Sequence, residues 1–119
     1  MAGGKRLICA GADLMEAGRG VRFQVTHRGR EAEAFAIRFA GQVRGYINEC
    51  GHLPAQLDWV PGEFFDGSKL YLICSVHGAL YDPQSGQCLG GRCRGKGLPM
   101  LALSEIDGQI YLNQEDSHG

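Results

Sequence analysis

The sequence predicts an all-β fold, an antiparallel β-sandwich. Two observations carry that expectation. Val21-Arg22-Phe23-Gln24-Val25-Thr26, Ala34 to Phe39 and Val43 to Glu49 all alternate between two kinds of side chain. A period of two sends one set inward and the other to the opposite face, as in a half-buried strand. In addition, 19 glycines are spread over 119 residues, which asks for many turns between many short strands and not for a linker. At this length one domain, residues 1–119, with one modest core is expected.

The elements follow in order. Lys5 to Ala10 reads as a first strand, with Leu7 and Cys9 on one side and Ile8 on the other. Gly11-Ala12-Asp13 breaks it, Leu14 to Ala17 reads as a helical turn or a loop, and Gly18-Arg19-Gly20 is a turn. After the strand Val21–Thr26, Arg28-Gly29-Arg30 turns the chain. Phe35, Ile37 and Phe39 point inward from the next strand, and Ala40-Gly41-Gln42 makes a hairpin turn. The returning strand has Val43, Gly45 and Ile47 on one face and runs straight into Cys50. Leu70 to Ile73 is a β-prone run ending on Cys74. Ala79-Leu80-Tyr81, a turn at Asp82 to Gly86, and Gln87-Cys88-Leu89 form a further hairpin. Met100–Leu103 and Gln109–Leu112 are two final strands joined through Ile106-Asp107-Gly108, where Asp-Gly is a strong hairpin signal. Asn113 to Gly119 is a polar tail.

Composition excludes some classes of function. The formal net charge is −1, so there is no electrostatic case for nucleic acid. Residues 1–49 hold eight Lys/Arg and five Asp/Glu, residues 50–119 four and eight, a solvated mixed surface that leaves the second half net negative. No apolar run of signal-peptide or membrane-span length follows Met1-Ala2-Gly3-Gly4-Lys5-Arg6. Gly90 to Gly97 is glycine-rich and basic, but no Gly-Lys-Ser/Thr follows, so it is not a phosphate-binding loop. No nucleophile–base pair or carboxylate pair stands out, and a small-molecule substrate is not expected.

The chemistry gathers in two boxes, Cys50-Gly51-His52 and Cys74-Ser75-Val76-His77. Cys and His are soft-to-borderline ligands, suited to zinc or to an iron–sulfur centre. One and two intervening residues leave tight turns, so each box can give its Cys to one metal and its His to a second nearby. A [2Fe–2S] cluster with two Cys on one iron and two His on the other needs that arrangement.

The paired boxes, the continuation Gly78 … Tyr81-Asp82 and the Ser85-Gly86 turn resemble the Rieske family of iron–sulfur proteins over residues 50 to about 91. The resemblance implies a Rieske-like sandwich with a small cluster-binding subdomain, residues about 48–93, built on two ligand loops. It implies one [2Fe–2S] cluster per chain, with Cys50 and Cys74 on the inner iron and His52 and His77 on the outer. Leu53, after the first His, fits an apolar residue that shields the cluster. Tyr81 fits a tyrosine whose hydroxyl donates to a ligand sulfur. High-potential members add two Cys that form a disulfide and a Ser two residues after the second His; Ala55, Val76 and Ala79 stand there instead. A potential in the lower half of the Rieske range, about −150 to 0 mV, is therefore expected. The family's third loop carries a proline over the cluster, whereas this chain has Gly91 and Arg92 at that place.

All four ligands come from protein, which points to electron transfer. The resemblance supplies the partners, a flavin reductase as donor and a terminal ring-hydroxylating-type oxygenase as acceptor, and a soluble cytoplasmic carrier is the simpler expectation. Two alternatives are the small subunit of a nitrite-reductase-like complex and a zinc-stabilised interaction module. The 21 residues from Leu53 to Ile73 carry Trp59, Phe64 and Phe65 and are expected to pack over the base of the cluster region. His27 and His118 read as surface. In a reducing cytosol Cys9, Cys88 and Cys93 would be free thiols, although Cys88 and Cys93 are close enough in sequence to bridge.

Overall fold

A computed structural model describes residues 5–49, 57–58, 60, 62–74, 78–91 and 97–113. Among these, the chain forms ten strands: β1 (Lys5–Ala10), β2 (Val21–His27), β3 (Arg30–Phe39), β4 (Gln42–Ile47), β5 (Leu72–Ile73), β6 (Leu80–Tyr81), β7 (Cys88–Gly90), β8 (Met100–Leu101), β9 (Leu103–Ile106) and β10 (Gln109–Asn113). They build three antiparallel sheets, ordered β1-β10-β9, β2-β3-β4-β8 and β5-β6-β7.

The four-stranded sheet is the middle layer, because the period-two pattern of β3 is apolar on both faces. Ala34 and Ala36 join Phe23, Val25, Val43, Ile47, Ile110 and Leu112 in one core, on the side of the β1-β10-β9 sheet. Phe35 and Ile37 join Tyr46, Leu72, Cys74 and Tyr81 in a second core, on the side of the β5-β6-β7 sheet. A strand covered on both faces reads as a continuous apolar run, and Ala34 to Ile37 are all fully buried.

Three hairpins close on two-residue turns with positive φ at both positions: Arg28-Gly29, Ala40-Gly41 and Asp107-Gly108. This geometry matches the right-handed twist of paired strands and favours glycine second. The Glu16 carboxylate accepts hydrogen bonds from the amides of Ala40 (2.6 Å) and Gly41 (2.9 Å).

The structure corrects three expectations and decides a fourth. In β1 the register slips between Leu7 and Cys9. This bulge puts Ile8 and Cys9 together against the core and leaves Leu7 54 % exposed; an extra residue cancels the alternation beyond it. Leu14 to Ala17 takes the loop form of its two expected readings. A 3₁₀ turn covers Gly11–Asp13, and the chain then runs beside β3, where Ala17 N donates to Arg38 O at 2.8 Å. Met100–Leu103 is two strands, since Met100–Leu101 pairs with β4 and Leu103 onward with β10, so the chain changes sheet at Ala102. Leu70 and Tyr71 are exposed and outside β5. There the chain turns, with Asp66 N donating to Tyr71 O at 2.9 Å and the Asp66 carboxylate accepting from Ser68 Oγ at 2.8 Å.

Candidate metal centre

Of the four predicted ligands, Cys74 lies among the described residues; Cys50, His52 and His77 lie outside them. Cys74 follows β5 directly and is fully buried. Its core neighbours include Phe64, Leu72, Ala79 and Tyr81. Backbone hydrogen bonds tie the ends of the second box. Cys74 N donates to Ala79 O at 2.9 Å, and Gly78 N donates to Cys74 O at 2.7 Å. Gly78 has φ +75°, which lets the chain turn back into β6. A soft thiolate donor at a strand end, set in an apolar wall, fits a ligand of an iron–sulfur centre.

The first box is bracketed by side chains. Asn48 follows β4, and its backbone N–H extends the ladder to Glu33 O at 2.8 Å. Its side chain is buried and used at both ends. Nδ2 donates to Asp58 Oδ1 at 3.0 Å and to Glu33 Oε1 at 3.3 Å, and Oδ1 accepts from Leu57 N at 2.9 Å. Asp58, 3 % exposed, also accepts from Arg22 Nε (2.8 Å), Arg22 Nη2 (3.0 Å) and Gly62 N (2.9 Å). Burial pushes the Asp58 carboxyl up. The hydrogen bonds from Arg22, Asn48 and Gly62, with the Arg22 charge, outweigh that and hold it below its ordinary value of 3.8. Leu57 is fully buried in the same core as Cys74.

Tyr81, fully buried, pairs with Leu72 and Cys88 in the sheet that carries Cys74. Tyr46 reaches from β4 to the following turn, its hydroxyl donating to Pro83 O at 2.6 Å, and burial pushes its phenol up. Gly91, at the start of the third loop, lies so close to the second box that a Cβ there would meet Ala79 Cα at 2.8 Å and Gly78 O at 3.1 Å. Residues 92–96, with Cys93, lie outside the described residues.

Two sulfur expectations are resolved differently. Cys9 is a free thiol, and burial pushes its pKa up. Cys88 is disulfide-bonded, to a partner outside the described residues, which corrects the free-thiol expectation for it. The expectation rested on a reducing compartment. Phe64 stacks on Phe35 and Phe65 on Phe39; Trp59, Leu53, Ala55 and Val76 lie outside the described residues. His27 is half-buried at the end of β2 and lines a cavity of about 310 Å³ with Met100, Leu101 and Leu112. His118 lies outside the described residues.

Sequence reasoning missed Asn48, Asp58 and Arg22. The available signal was a polar Asn where the alternating strand runs into Cys50. Its side-chain partners Leu57, Asp58 and Glu33 lie 9, 10 and 15 residues away, and Arg22 reaches Asp58 across 36, separations that no local pattern reads.

Among the described residues no helix is long and apolar enough to cross a membrane. The model of the Rieske [2Fe-2S] domain matches residues 6–109. No curated protein sequence matches the chain. Among solved structures, the ferredoxin of carbazole 1,9a-dioxygenase from Nocardioides aromaticivorans IC177 is similar at 20 % identity and TM-score 0.72, over 92 % of this chain and 96 % of that one. A chain in the complex of reduced oxygenase and oxidized ferredoxin of carbazole 1,9a-dioxygenase is similar at 21 % identity and TM-score 0.69, over 93 % and 94 %. The terminal oxygenase of the Nocardioides enzyme matches at 17 % identity and TM-score 0.68, over 94 % of this chain and 30 % of its own.

Proposed function

The chain belongs to the Rieske [2Fe-2S] domain family, and from that premise we propose that it is a one-electron carrier, taking electrons from a flavin reductase and passing them to a terminal ring-hydroxylating-type oxygenase. The cofactor is a [2Fe–2S] cluster. Cys50 and Cys74 hold its inner iron and His52 and His77 its outer iron, in a subdomain of about residues 48–93 within one domain. Bound there, the cluster supplies a centre that takes up and releases one electron, with a potential raised by its two neutral imidazole ligands.

The observation that carries this reading is the pair of boxes, Cys50-Gly51-His52 and Cys74-Ser75-Val76-His77, within the matched residues 6–109. Four ligands from one chain fill both irons and leave no position for a substrate, so the centre exchanges electrons and does not turn a substrate over. The buried Cys74 and the closed ends of both boxes support a rigid site, which electron transfer favours because little rearranges with the charge. The structural likeness to two carbazole dioxygenase ferredoxin-system chains supports the choice of an oxygenase as acceptor. The protein is proposed to act in the cytoplasm, away from membrane and nucleic acid.

Iron and zinc analysis, with optical and low-temperature EPR spectra before and after dithionite, tests the reading. Two irons per chain and a rhombic signal in the reduced state are expected. A colourless, EPR-silent protein with one zinc would end it and leave a zinc-stabilised interaction module.

A further inference from the structure

We infer that Asn48 and Asp58, held by Arg22, form a clamp that fixes the neck of the first ligand loop and so positions Cys50 and His52. This rests on the ligand assignment proposed above.

The two loops are closed by different means. At the second box, backbone hydrogen bonds join Cys74 to Ala79 and Gly78 to Cys74. On either side of the first box Asn48 and Leu57-Asp58 are buried, and the Asn48 side chain ties the two flanks together. Asn48 is two residues before Cys50 and is itself fixed to β3 through its N–H. Its Oδ1 accepts from the Leu57 amide at 2.9 Å, and its Nδ2 donates to Asp58 at 3.0 Å. An Asn presents a donor and an acceptor side by side, so this one residue can satisfy an amide and a carboxylate at once.

Asp58 anchors the far side. Its carboxylate takes hydrogen bonds from two Arg22 nitrogens, Asn48 and the Gly62 amide. A buried carboxylate with one partner missing is costly, so the network holds together or loosens as a unit. Arg22 projects from β2, paired through β3 to the middle of the fold. The clamp thus ties Asn48, Leu57 and Asp58, on either side of the first box, to the central sheet. Ordering a loop beforehand lowers the entropy lost when ligands close on a metal.

Asn48 and Asp58 are positioning residues, and their removal is expected to act on cluster retention out of proportion to fold stability. Supporting partners of metal ligands are worth about 10- to 100-fold in metal affinity. The test uses the iron-loaded full chain and two variants, Asn48→Ala and the same-sized Asp58→Asn. Arg38→Gln is the control; it removes the Arg38–Glu105 pair on the other side of the fold. Iron release to a chelator, the reduced-state EPR line shape and the melting temperature of each are measured. At least one clamp variant should release iron about tenfold faster than Arg38→Gln at matched loss of melting temperature, with a broadened EPR signal. Release that follows melting temperature along one line for all three variants, with an unchanged EPR line shape, would overturn the clamp while leaving the cluster in place. Variants that do not fold at all would overturn it as well, because the network would then serve the fold as a whole. A parent chain that binds no iron would instead overturn the ligand assignment on which the clamp rests.

Discussion

Phe64 lies flat on Phe35, ring centroids 3.9 Å apart and planes 11° from parallel, and both side chains are fully buried. One ring belongs to the central strand β3, the other to the connection between the two ligand boxes. Phe64 and Leu57 of the connection are therefore part of the core that holds Cys74. Phe64→Ala removes that stack and leaves a cavity, at an expected cost of about 3–5 kcal/mol. Denaturant unfolding of the variant measures it. A loss below about 1 kcal/mol would mean that the connection adjusts freely and does not support the site.

The buried Asp58 gives the fold an acid-sensitive element. Its folded carboxyl titrates below its ordinary 3.8. The ionised form is thus favoured in the folded state, and its contribution to stability is fully present above 3.8. That contribution is lost as pH falls from there through the lower folded value. Stability should decline on acidification, more steeply in the parent than in Asp58→Asn, which has no proton to bind there. Urea midpoints of both proteins, taken between pH 3 and 7, decide the matter. Parallel curves would assign the acid sensitivity to other carboxylates; Glu105, paired with Arg38, also titrates low.

Much of this architecture is legible in the sequence because it is local. The alternation in β2, β3 and β4 shows the middle sheet, and Asp107-Gly108 shows the β9–β10 hairpin directly. The box spacing shows the metal chemistry without any fold. What is not legible depends on contacts far apart in sequence. The bulge in β1 is set by its pairing with β10, and alternation cannot register an inserted residue. Leu70 and Tyr71 have strand propensity, yet the Asp66 turn takes them out of β5. Asn48, Asp58 and Arg22 are ordinary polar residues until the fold brings them together. Cys88 reads as a cytosolic thiol because compartment argues against the bridge that its nearness to Cys93 allows.

The disulfide at Cys88 is open to a direct check. Cys88 pairs with Tyr81 and packs against the core that holds Cys74, so a bridge there fastens β7 beside the second ligand box. Denatured, unreduced protein treated with an alkylating agent should leave Cys88 unlabelled. Cys9 should be labelled. Reduction should then expose Cys88 and one further thiol, and peptide mapping names that partner. Labelling of Cys88 without reductant would restore the free-thiol expectation and remove the fastening.

Ala79 offers the sharpest test of how the cluster is tuned. It is fully buried, next to Gly91 and across the backbone hydrogen bond from Cys74. In high-potential members a serine stands at this place. A hydroxyl aimed at a cluster sulfur stabilises the more negative, reduced state and raises the midpoint. Hydrogen bonds to charged groups are worth about 1.5–3 kcal/mol. If about 1.4 kcal/mol of that distinguishes reduced from oxidised cluster, a one-electron midpoint moves up by about 59 mV. The parent is expected in the range of about −150 to 0 mV, and Ala79→Ser about 60 mV above it. Potentiometric titration followed by EPR reads both. A parent midpoint well above zero would show that other groups supply the missing donors. An unshifted Ala79→Ser with full iron content would show that residue 79 does not face the cluster, and the alignment of the second box with its family would need to be redrawn.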